Sequence, residues 1–193
     1  MPNSYFAYHL KPEDFQGSQI LPLSLLEKSH PELSKTAIQK YNGREKLIDR
    51  VVYDPANSPH QFMGDQILTW TEVSFCSMID PNLVFKKLKS LGFISKDAKK
   101  QAFKIPLELF PSKTMVWLGQ KEMKDPSFIA QDDCYSLEEA YKVIDFSVLP
   151  TKTIEYFESF QFQDRRPLFF VHMPHILCAE PIDISMCEII EVA

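Results

Sequence analysis

The sequence predicts a single α+β domain over residues 1–193, with a central, mostly antiparallel sheet flanked by about four helices. Three observations predict it. The chain has 193 residues, 45% hydrophobic and 24% charged, which is the profile of a cored protein; a domain of this length buries roughly 70% of its unfolded surface. Short apolar runs suited to strands are interspersed irregularly with helical periodicities, not wound as regular βαβ units. No repeat, low-complexity segment or long charge run divides the chain, and the turn-rich stretches at 54–59 and 123–127 are too short to separate two domains.

The first strand is expected over 5–10. A helix follows with Pro31 at a first helical position and Leu33, Ala37, Ile38 and Tyr41 at spacings of three and four, ended by Asn42-Gly43. A strand is expected over 71–76. A helix then starts with Asp80 as N-cap and Pro81 behind it, carries Leu83, Val84, Leu88 and Leu91, and stops at Gly92. Its Lys86, Lys87 and Lys89 lie toward the C-terminal half, where cations suit the helix dipole. After a strand over 114–118, Ser136 and Glu139 form a capping box for a third helix. A fourth begins near Thr151 or Thr153 and carries Ile154, Phe157 and Phe160. A strand is expected over 168–172, whose continuously apolar run 168–171 suits a central strand covered on both faces, and the last strand is expected over 186–192.

Composition excludes several functions. With 15 Phe, 7 Tyr and 14 Pro against 5 Gly, glycine-rich phosphate loops are disfavoured. A net charge of -5 argues against non-specific nucleic-acid binding. Cys76, Cys134, Cys178 and Cys187 form no Cys-x-x-Cys pair, so reduced, mostly buried thiols are expected, without a zinc ribbon. The N-terminus lacks a basic start and a long apolar run, and no stretch reaches the roughly 18 apolar residues that span a bilayer. A cytoplasmic protein without a membrane partner is expected, although an effector exported through a C-terminal tail would share these features.

Five groups of residues can carry chemistry. His9 ends the first strand and can donate to a ligand hydroxyl or carbonyl, while the neighbouring Tyr8 offers an aromatic face to a nucleobase or nicotinamide. Ser74 and Ser77 sit in an apolar strand that leads into the Asp80 cap, where an anion can meet unpaired N–H groups; simple capping by Ser77 is the plainer alternative. His172 and His175 flank Pro174, which favours strand and turn and makes the two rings diverge, so no metal site is expected. His175 then reads either as a cofactor contact or as a histidine bonded to backbone. Arg44 and the pair Arg165-Arg166 can clamp a phosphate. Glu188 and Glu191 point to opposite faces of the last strand, with Glu188 toward a pocket and Glu191 at a solvated edge.

The segments Tyr8-His9-Leu10, Leu21-Pro22-Leu23, Tyr41 to Glu45, Ser77 to Pro81, Pro174 to Leu177 and Ile182 to Ile184 resemble a family of small uncharacterised bacterial proteins. That resemblance covers most of the chain and implies no activity. The order of a strand ending in His, a later strand with Ser and a C-terminal strand with Glu is also distantly similar to the ADP-ribosyltransferase fold. This similarity implies NAD as cofactor, His9 on its ribose, an aromatic residue on nicotinamide, and Glu188 orienting the ribose for transfer to a protein substrate. The sequence departs from the pattern in offering no clear second-strand Tyr or Ser-Thr-Ser element. Two other readings stand beside it: an ATP- or ADP-binding protein that uses Arg44, lysines and a carboxylate for magnesium, and a non-catalytic module whose Phe and Tyr anchor a protein partner.

Overall fold

The computed structural model describes residues 5–39, 48–58, 61–121, 129–161 and 166–193. Tyr41, the Asn42-Gly43 stop, Arg44, Arg165 and the 123–127 turn lie outside them. The strands are β1 (Phe6–Lys11), β2 (Gln19–Ile20), β3 (Val51–Tyr53), β4 (Leu68–Thr69), β5 (Ser74–Ser77), β6 (Lys100–Pro106), β7 (Thr114–Trp117), β8 (Cys134–Tyr135), β9 (His175–Cys178), β10 (Ile182–Asp183) and β11 (Glu188–Val192). The α-helices are α1 (Leu23–Ser29), α2 (Pro31–Gln39), α3 (Pro81–Ser90), α4 (Leu137–Val143) and α5 (Thr151–Glu158). Seven strands form one sheet in the order β11-β6-β1-β5-β9-β7-β8, with every pairing antiparallel. The α+β architecture expected from the sequence is the one observed.

The helix starts follow their sequence signals. Asp80 accepts from the Asn82 amide at 2.8 Å, and Ser136 and Glu139 satisfy each other's backbone N–H groups. Directly opposed residues of an antiparallel pair share a face. On one face Ala7, Phe103, Ile105, Cys76, Val116 and Ile176 are buried beneath the β2–β10 ribbon and Ala140 of α4. On the other, Met115 and Leu177 pack under β3 with Tyr53, and Ala102 and Val192 pack against Phe85 of α3. Beyond α3, Val84 and Leu88 meet Phe157 of α5 and Met173. All four cysteines are free; three are buried and Cys187 is half-buried. Among the described residues no helix is long and apolar enough to cross a membrane.

Three elements differ from expectation. Residues 168–172 form turns and bends, not a central strand, and Leu168 is exposed. The segment lies between Pro167 and Pro174, and side chains take its carbonyls: the Thr153 hydroxyl donates to Val171 and His172, and the Gln120 amide to His172. The buried strand lies just beyond, at β9, where a histidine interrupts the apolar pattern. Residues 70–72 form a 3-10 turn closed by Glu72, which accepts from the Thr69 backbone N–H and hydroxyl, so β5 starts only at Ser74. The longest strand, β6, was hidden by its lysines. Lys104 and Lys99 beside it are neutralised by Glu188 and Glu191 of β11, while Ala102, Phe103 and Ile105 are buried.

Candidate functional site

Strand β1 pairs with β6 along all six of its residues, and β5 pairs with β9 along all four. Between β1 and β5 the register holds a single pair, Tyr8 opposite Ser77. Past that pair the ladder stops, and a side chain takes over a backbone acceptor: His9 Nδ1 donates to the Phe75 carbonyl at 3.0 Å. Since that carbonyl only accepts, Nδ1 carries the proton.

The chain leaving β1 widens this split. Phe15 folds back to meet Phe103 edge-on at 5.0 Å, Gly17 takes a φ of 133° that disfavours any side chain, and β2 pairs with β10. Helices α1 and α2 then cross the opening. The result is a cavity of about 520 Å³. His9, Ser74 and Phe75 come from the strands, and Phe15, Ile20, Leu23, Leu26 and Leu33 supply an apolar wall. Among the described residues no Lys or Arg lines it; Asp14, His9 and His30 are its titratable groups. Ser74 is 5% exposed, and its hydroxyl has no hydrogen-bond partner among the described residues. Leaving such a group unpaired costs about 1–3 kcal/mol.

Of the polar residues singled out from the sequence, His9 and Ser74 line this cavity. Tyr8, Ser77, His175 and Glu188 come together in a different sense. They belong to one transverse row on the opposite face, which runs Glu188, Lys104, Tyr8, Ser77, His175, Trp117, Cys134, one residue from each strand. At ~4.8 Å per strand, Glu188 and His175 stand roughly 19 Å apart. His9 and Glu188 therefore project from opposite faces. Arg44 lies outside the described residues.

Each member of the row has its own surroundings. Burial raises the Tyr8 phenol above its ordinary pKa, assisted by the Asp80 and Glu188 charges. The Ser77 hydroxyl both donates to the Ile79 carbonyl and accepts from the Ile79 N–H, at 3.0 Å each, closing the turn into the Asp80 cap. His175 Nδ1 donates to the Met173 carbonyl at 2.8 Å. Its ring packs among Trp117, Phe75 and Phe170, and burial lowers its pKa to about 4, so it is neutral at physiological pH. Glu188 is exposed and accepts from Lys104 Nζ at 3.1 Å, while that ammonium also lies 4.4 Å from the Phe6 ring centroid.

The apolar wall went unread in the sequence. Leu23, Leu26, His30 and Leu33 recur at spacings of three and four, the period of one helical face, but Pro31 breaks the run into two helices. Compared with known proteins, the chain matches no family model, no curated protein and no solved structure.

Proposed function

We propose that this chain binds a small neutral amphiphile, a molecule with an apolar body and one hydrogen-bonding group, in the cavity at the β1–β5 split. The observation that carries the reading is the unpartnered Ser74 hydroxyl beside His9 in a cavity whose wall is otherwise mainly apolar. A concave, mostly apolar space with a few convergent polar groups is the usual form of a small-molecule site. A ligand hydroxyl or carbonyl would give Ser74 the partner it lacks. Among the described residues no Lys or Arg lines the cavity to meet a phosphate, which weighs against nucleotides in this space. The NAD-dependent transferase reading rests on His9 alone, because Glu188 stands on the opposite face.

N-phenyl-1-naphthylamine, a neutral probe that brightens in apolar surroundings, tests the proposal. Saturable one-to-one binding is expected, with decanol displacing the probe better than decanoate, and NAD or magnesium-ATP leaving it in place. Leu26→Trp should fill the cavity and abolish binding. Failure of the probe to bind overturns the proposal. A thermal shift with NAD that is lost in both His9→Ala and Glu188→Gln would restore the transferase reading.

A further inference from the structure

Helix α1 has no buried residue. At seven residues it is too short to hold a helix alone in water, so it depends on what packs against it. One stripe, Leu23 and Leu26, looks onto the cavity described above. The opposite stripe, Ser24, Leu25 and Lys28, looks onto a second cavity of about 570 Å³, closed on its far side by the 63–66 loop and Lys113. Gly64 turns that loop with a φ of 91°, its carbonyl accepting from the Tyr53 hydroxyl at 3.0 Å, and the Lys113 stem passes beside it. Thus α1 is a wall between two cavities.

The second cavity differs from the first in charge. Neither Lys28 nor Lys113 has a carboxylate within ion-pair distance among the described residues, whereas Lys104, Lys87 and Lys121 each hold one. Asp65 makes no ion pair or hydrogen bond among the described residues, and Glu72 accepts from the Thr69 N–H and hydroxyl through Oε2. Two ammonium groups thus share this space with the Asp65 carboxylate and with a Glu72 carboxylate already hydrogen-bonded to Thr69. We infer that this second cavity is a binding site for an α-amino dicarboxylate, whose two carboxylates meet Lys28 and Lys113 and whose ammonium meets Asp65. Charge-assisted hydrogen bonds of this kind are the strong ones. With an occupant on each side, α1 gains packing that neither empty cavity provides.

Calorimetric titration of the full chain with L-glutamate, glutarate, 4-aminobutanoate and inorganic phosphate tests this. Saturable binding of L-glutamate is expected, with glutarate and 4-aminobutanoate weaker by about ten-fold or more. Lys28→Gln and Lys113→Gln should each weaken L-glutamate about ten-fold, and Asp65→Asn should bring it down to the level of glutarate. All three side chains are exposed, so the variants should keep the parent melting temperature and the parent uptake of N-phenyl-1-naphthylamine, which reads the first cavity independently. Absence of saturable binding at millimolar L-glutamate, phosphate binding as tightly as L-glutamate, or indifference to Lys113→Gln would each overturn the inference.

Discussion

Along β9, strand β5 pairs through all four of its residues, whereas along β1 it pairs through Ser77 alone. The closed seam is tightly packed. Leu177 and Ile176 are fully buried on its two faces, and His175 at its end is enclosed by aromatic rings. The open seam ends in a His9 side-chain bond and a cavity under helices that bury little. A strand order alone therefore does not say where a sheet is complete. What decides it is where backbone groups find their partners, and at Phe75 the partner is an imidazole.

The largest test of this contrast is deletion of packed side chains. Phe157 and Phe85 are almost wholly buried in the packed clusters around α3, and truncating either to Ala should cost about 3–5 kcal/mol in urea unfolding. Leu23 and Leu26 stand half-exposed over the open seam, so Leu→Ala there should cost only about 1 kcal/mol, well below the usual range for a buried leucine. Equal losses in the two regions would mean that the cavity is collapsed in solution.

His175 gives the next largest effect. Its folded pKa of about 4 lies below the ordinary histidine value, so as pH falls the unfolded chain takes the proton first. Stability from this group is fully present above about pH 6.5 and is lost as the pH falls toward 4, by up to about 3 kcal/mol. Urea midpoints measured across that window should fall, and His175→Gln should flatten the fall. A His9→Ala variant should keep the fall, since its ring belongs to the other seam; its cost, about 1–3 kcal/mol, is that of stripping the Phe75 carbonyl of its partner.

The legible parts of the fold were those written by local chemistry. The Asp80 cap, the Ser136–Glu139 box and the start of α5 each depend on a few neighbouring residues, and each appears as read. What was not legible depends on partners far along the chain. Lys104 makes β6 look like a surface segment until Glu188 is placed beside it, and the run over 168–172 looks like a strand until Thr153 and Gln120 claim its carbonyls. The site divides in the same way. His9 was visible as a polar residue in an apolar strand, but the sequence has no mark for the ladder that fails past Tyr8, nor for the sheet face that separates His9 from Glu188.

The smallest predicted effect is also the most specific to the open seam. If the Ser74 hydroxyl is unpaired in the ligand-free protein, Ser74→Ala removes a group that folding strips of water and gives nothing in return. The variant should therefore be as stable as the parent or more stable by up to about 1 kcal/mol, the reverse of most buried substitutions. Its affinity for a hydroxyl-bearing ligand such as decanol should fall, while N-phenyl-1-naphthylamine, held by its apolar rings, should bind nearly unchanged. A clear loss of stability in Ser74→Ala would show that the hydroxyl already has a partner, such as a water held in the cavity. The ligand would then displace that water instead of satisfying an orphan, and the preference for a polar head group would shrink accordingly.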